Sequence, residues 1–97
     1  MKYHILIKDE AYVDLQVAYD YYEEQSAGLG DDFLEKIKER LSYIKQYPLH
    51  FTKVEKEFRQ SSIDRFPYLI LYEIIGAEII VYAVFHGKRN PKKKFPV

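Results

Sequence analysis

Three side chains carry the chemistry this sequence could do: Arg65, His86 and Arg89. The stretch VFHGKRNPKKKF occupies residues 84–95, where a strand-like apolar run ends at His86-Gly87 and the cations Lys88, Arg89, Lys92, Lys93 and Lys94 follow. An imidazole titrates near neutral pH and can give or take a proton. A guanidinium stays charged and grips a phosphate through two parallel N–H donors. Arg65 and Arg89 therefore read as anion clamps, and His86 as a general acid or base. Lys53, Lys56, Arg59, Lys88, Lys92, Lys93 and Lys94 form the basic surround that would steer an anionic target in a salt-dependent way. Glu57 is a carboxylate that could assist. The competing reading makes His86 a strand-end residue bonded to backbone, Arg65 a counter-ion for Asp64 or a helix carboxylate, and the lysine run a solvated tail. Arg89 has the better claim to a target, because no acid lies near it in the sequence.

The 97 residues are enough for one domain with a modest core. Ten Tyr and six Phe supply large apolar areas for that core. The chain has no cysteine, which excludes disulfides, thiolate chemistry and Cys-based zinc sites. His4, His50 and His86 are too scattered for a metal-ligand motif, so neither metal nor cofactor is expected. The opening MKYHILIKDE is too soon broken by charge for a signal peptide. No segment approaches the roughly 20 apolar residues of a membrane span, so a cytoplasmic protein without membrane contact is expected. Formal net charge is zero, yet it conceals a division. Residues 1–35 hold nine acids and two bases, and residues 36–97 hold thirteen bases and six acids. Such asymmetry is a hint of an anionic partner for the basic part.

The elements that must position these residues follow from periodicity. Residues 3–7 read as a first strand, and Asp9 as the N-cap of a helix. Ala11, Leu15, Ala18 and Tyr22 make the buried stripe of that helix, widened by Tyr12 and Tyr19. Ser26–Gly30 breaks it, and Asp31-Asp32 open a second helix whose stripe is Leu34, Ile37, Leu41 and Ile44 beside Phe33. Pro48 stops it. Of the helix tyrosines, Tyr19, Tyr22, Tyr43 and Tyr47 are expected in the core, and Tyr21 at the surface. Residues 57–63 are a weak strand. Residues 68–75 and 79–86 are strong ones joined at Gly76-Ala77-Glu78, and their continuous apolar character means both faces are at least partly covered. The order is β-α-α-β-β-β: an α+β domain over residues 1–97, with a helical hairpin packed on one face of an antiparallel sheet.

The stretches YDYYEEQSAGLGDDFLEKIKERLSYIKQYP (19–48), RFPYLILYEI (65–74) and VYAVFHGKRNP (81–91) resemble the RelE/ParE toxin superfamily of type II toxin–antitoxin modules. Across almost the whole chain they share its acidic first helix, its GLG helix break, its RFPY strand start and its histidine followed by arginine. The wording is closest to the ParE-like, plasmid stabilisation branch. The resemblance implies a small toxin held inactive by a cognate antitoxin that wraps its helices and sheet, with a heterotetramer as one assembly of the pair. It also implies one of two targets: DNA gyrase for the ParE-like branch, or mRNA on the ribosome for RelE-like endoribonucleases. A third alternative is a non-toxic relative that only binds antitoxin. Metal-independent RNA cleavage would need a base, an acid and cations for the developing phosphorane charge, here His86, Arg65 and Arg89. RelE-like nucleases commonly use a tyrosine near the C-terminus. This chain has Phe95 there, which could stack on a base but cannot move a proton.

Overall fold

A computed structural model describes residues 2–88, so Arg89, Lys92, Lys93, Lys94 and Phe95 lie outside the described residues. The elements are β1 (His4–Ile7), α1 (Asp9–Gln25), α2 (Leu29–Gln46), β2 (Lys53–Glu55), β3 (Phe58–Ser62), β4 (Tyr68–Ile75) and β5 (Glu78–His86). They form one five-stranded sheet in the order β1-β5-β4-β3-β2, with the helical hairpin on one face. The α+β expectation holds, with two differences in the sheet. The first strand pairs parallel to β5, from His4 opposite Glu78 to Ile7 opposite Val81. A short exposed strand, β2, adds an edge that its sequence, KVE, gives no apolar pattern to reveal.

Each element forms for a local reason. Asp9 lies inside α1 rather than capping it; Lys8 is the N-cap and makes no side-chain bond. Asp9 and Glu10 instead favour the helix through the positive end of its dipole. Between the helices only three residues intervene, and Gly28 takes φ 90°, a left-handed turn that side chains resist. The second helix therefore starts at Leu29, two residues before the acids expected to open it. Glu23 Oε1 accepts the N–H groups of Gly28 (2.9 Å) and Gly30 (2.8 Å), so α1 caps its neighbour's exposed donors. Gly30 is required by contact: a Cβ there would stand 2.7 Å from Glu23 Cγ and from Tyr19 Cδ1. The β4–β5 hairpin has Gly76 at φ 61° in the first of its two loop positions, as a type II′ turn demands.

The core lies between the hairpin and the sheet. Ala11, Ala18, Phe33, Ile37 and Ile44 meet Ile70, Tyr72, Ile79, Val81 and Val84. An aromatic knot ties the layers where the site residues begin. Tyr22 packs at 4.8 Å on Phe66, and Phe33 at 5.4 Å on Phe66 and 5.1 Å on Tyr68, measured between ring centroids. Edge-to-face pairs of this kind are worth roughly 0.5–1.5 kcal/mol each beyond their area. Tyr12, Tyr43 and Tyr47, expected against the core, are exposed. Tyr43 lies beside the buried Ile44 on α2 and Tyr47 is the helix's C-cap, and their tilted rings meet at 5.1 Å between centroids.

The register of β4 with β5 slips between Leu71 and Tyr72, which face Ala83 and Val81, so Tyr82 is an extra residue in β5. This bulge reverses which alternate side chains face the helices. Ile79 and Val81 point to the hairpin before it, and Val84 after it. Ala83 and Phe85 join Leu71, Leu69, Phe58 and Tyr82 in a second apolar cluster on the far face. Both sheet faces are thus covered by apolar contacts, as the unbroken hydrophobic runs implied.

Tyr72 is fully buried and donates its hydroxyl to Pro48 O at 2.6 Å, tying the end of α2 to the sheet. Burial pushes its pKa up to about 12, with Arg59, its partner across the β3–β4 ladder, pulling weakly the other way. A raised tyrosine pKa means the unfolded chain loses this proton first. Its contribution is therefore intact below pH 10 and is lost as pH climbs from 10 towards 12. Urea midpoints measured across that range should fall more steeply for the wild type than for Tyr72→Phe.

Candidate functional site

The order of the strands decides which of the basic residues can act together. Tyr68, at the start of β4, is opposite His86, at the end of β5. The loop carrying Arg65 leads directly into Tyr68, and Gly87 N–H donates to Pro67 O at 2.9 Å. Arg65, His86 and Lys88 therefore gather at one end of the sheet. Lys56 lies in the β2–β3 turn at the opposite end, and Lys53 on the far edge strand. The basic residues expected as one face are thus divided between two ends.

Their charges are also engaged within the chain. Lys53 Nζ pairs with Glu57 Oε1 at 2.9 Å, which holds the Glu57 carboxyl below its usual range. Arg59 is half-buried and donates to Phe51 O at 2.6 Å. Arg65 Nη1 reaches Asp32 Oδ2, in the first turn of α2, at 3.1 Å, and its guanidinium lies 5.3 Å above the Phe66 ring. The helix-carboxylate reading of Arg65 is the one its geometry satisfies. Arg40, on α2, stands 3.6 Å from Asp64 in the same loop. Two ion pairs thus bind the Asp64–Arg65 turn to α2, each exposed enough to contribute little on its own.

His86 is half-buried and edge-on to Tyr68, with ring centroids 5.4 Å apart. Its Nδ1 accepts the Lys88 backbone N–H at 3.1 Å. The strand-end reading of this histidine is therefore realised in a specific bond. Beside it a groove of about 140 Å³ opens between α1 and β5, lined among others by Val13, Asp14, Val17, Tyr68 and His86. β1 ends opposite Val81, and past that point Asp14 Oδ2 accepts the Val84 N–H at 3.0 Å in place of a strand. Asp14 and Tyr68 were not visible as site residues from the sequence. Their importance comes from a contact 70 positions apart and from strand pairing, and neither leaves a local pattern. α1 brings only negative charge to this groove, since its six charged residues are all acids. Among the described residues no group of three His, Asp or Glu side chains is placed to hold a metal, and no helix is long and apolar enough to cross a membrane.

A two-helix hairpin on one face of a five-stranded, mostly antiparallel sheet is the architecture expected of the RelE/ParE superfamily. The chain belongs to the family described as the ParE toxin of the type II toxin-antitoxin system, parDE, which it matches over residues 5–91. Its fold is similar to that in the chromosomal ParDE toxin–antitoxin system from P. aeruginosa, with a TM-score of 0.78 at 17% identity, covering 88% of this chain and 96% of that one. It is also similar to a double mutant of the E. coli toxin RelE in the free state, with a TM-score of 0.62 at 14% identity, covering 94% and 90% of the two chains. No curated protein matches it.

Arg65 takes φ 74°, a left-handed conformation that costs a side-chain-bearing residue roughly 1–2 kcal/mol. Arg65→Gly removes that strain together with an exposed ion pair worth about 0.2–1 kcal/mol, and glycine adds a similar entropy to the unfolded chain. Its urea midpoint should stay near the wild-type value. Arg65→Val, β-branched at positive φ, should lose more than about 1 kcal/mol in the same measurement.

Proposed function

We propose that this chain is the toxin of a ParE-like module, acting in the cytoplasm by binding and inhibiting DNA gyrase, and silenced by a cognate antitoxin. The family match over residues 5–91 supports the module and the antitoxin. One observation supports the choice of binding over RNA cleavage: two of the three side chains an RNA-cleaving site would use, His86 and Arg65, are engaged within the chain. His86 Nδ1 holds a backbone N–H, and Arg65 is neutralised by Asp32. A proton-transfer site would need these groups directed at the scissile phosphate and its 2′-hydroxyl. A binding toxin needs only an exposed, charged surface of the right shape. Phe95, in place of a hydroxyl-bearing ring, supports the same choice. In this reading Arg89 and the lysines that follow it meet the target, and the acidic helix α1 faces the antitoxin, whose cations would set its register.

Expression in cells without antitoxin should arrest growth and relax a reporter plasmid while transcripts stay intact. Codon-phased cuts in mRNA would overturn the gyrase reading in favour of the ribosome-dependent nuclease. Unaffected growth would identify a relative that keeps only antitoxin binding.

Arg89→Ala should abolish the arrest while antitoxin pull-down and thermal stability remain near wild type. His86→Gln should leave the arrest unchanged. A loss of toxicity in that variant, with antitoxin binding retained, would argue for proton transfer.

A further inference from the structure

The C-terminal end of α2 and the loop after Pro48 expose a joined set of rings. Tyr43 meets Tyr47 at 5.1 Å, His50 at 5.5 Å and Phe51 at 5.8 Å between centroids. Tyr43, Tyr47 and His50 are exposed, and Leu49, at 65%, is the most exposed large hydrophobic among the described residues. Single apolar residues at a surface need no explanation, but a contiguous set does. Arg40 borders the rings. Its guanidinium carbon lies 5.6 Å from the Tyr43 centroid and 5.5 Å from that of Phe51, so the aromatic faces fix its place. The Asp64 carboxylate stands 3.6 Å away, too far for a hydrogen bond, and among the described residues the guanidinium donates none. Lys36 and Glu39, 3.4 Å apart, line the same depression of about 360 Å³ with Arg40, Tyr43 and Asp64. Two cations and two acids therefore adjoin the rings, with no net charge.

That balance selects the occupant. A partner of one sign would set half of these charges against their own kind. A second copy of the chain brings both signs, and a two-fold contact can place each group opposite its complement. The exposed apolar ridge of Val13 and Val17 on α1 fails this requirement, because every charge on that helix is an acid and two copies would repel. Tyrosine and arginine are also the side chains that most often anchor protein interfaces. We propose that the chain self-associates through this surface as a two-fold dimer. Tyr43, Tyr47 and Leu49 of both protomers meet at the centre. Arg40 of each protomer takes Asp64 of the other, exchanging a loose intrachain contact for a close, hydrogen-bonded one. None of these residues lines the groove between α1 and β5, so that groove stays free in the dimer.

Sedimentation equilibrium on the purified chain, without antitoxin or target, should give twice the 11.6 kDa monomer mass, falling to the monomer value on dilution. Leu49→Asp, at an exposed loop position, should abolish the dimer and leave the thermal midpoint unchanged. Arg40→Glu alone and Asp64→Arg alone should each raise the dimer dissociation constant by about tenfold or more. An equal mixture of those two variants should recover dimerisation, since each charge then meets its opposite across the interface. Intrachain pairing predicts no such rescue, because each variant keeps like charges within its own chain. Leu49→Asp decides the matter should Arg40→Glu fold poorly. A monomer at every concentration would overturn the proposal. So would a dimer untouched by Leu49→Asp, which would place the contact on another face. Failure of the folded variants to recover on mixing would overturn the Arg40–Asp64 exchange that defines this interface.

Discussion

The extra residue at Tyr82 governs this molecule, because a strand offers each side chain only two directions and a bulge exchanges them. Without it, Ala83 and Phe85 would face the helices, and Val84 and His86 would stand on the other side. With it, Val84 enters the main core and His86 lies against Tyr68, beside the groove under α1. The same shift supplies Phe85 to the far-face cluster. Tyr82 is itself fixed at this point, since its hydroxyl donates to Glu73 Oε1 at 2.8 Å, and burial together with that carboxylate raises its pKa. One inserted residue thus allots the last part of β5 between two apolar layers and aims His86 towards the end of the sheet that carries Arg65.

The aromatic knot sets the other coordinate of the site. Phe66 and Tyr68 flank Pro67, and both rings are gripped by Tyr22 and Phe33. Arg65, immediately before them, is held in a left-handed turn with its guanidinium over Phe66 and against Asp32. The basic turn is therefore a rigid appendage of the core, and its position depends on packing more than on its exposed ion pairs. The electrostatics follow from this scaffold. The hairpin presents the acidic α1 on one side, and the described strand-end cations divide between the two ends of the sheet. The Asp32–Arg65 and Arg40–Asp64 pairs stitch the basic turn to α2.

Much of this was legible in the residues. The span of β4 and the Gly76 turn were readable because a continuous β-branched and aromatic run is bounded by proline on one side and glycine on the other. The helix stripes were readable because Ala11, Ala18, Phe33, Ile37 and Ile44 keep a period near 3.6. The bulge left no trace for the same reason that the strands were obvious: where both faces are apolar, alternation carries no information about direction. β2 was missed because three exposed residues need no hydrophobic signature. The parallel pairing of β1 was hidden because four residues of HILI fit either direction equally well. Within the site, the ion pair between Asp32 and Arg65 spans 33 positions, so sequence could name the alternatives for Arg65 without choosing between them. The division of the lysines between two sheet ends depended on strand order, which spacing does not report.

The parallel register of β1 has a consequence for how the protein is born. His4 is matched with Glu78, so the first strand to leave the ribosome has no partner until the chain has grown by more than seventy residues. At typical translation speeds of 5–20 residues per second, that interval is roughly 4–15 s. β5 then arrives between β1 and β4 and closes the sheet from within. Until then the backbone of β1 and the apolar stripes of both helices lack the strands that cover them in the completed fold.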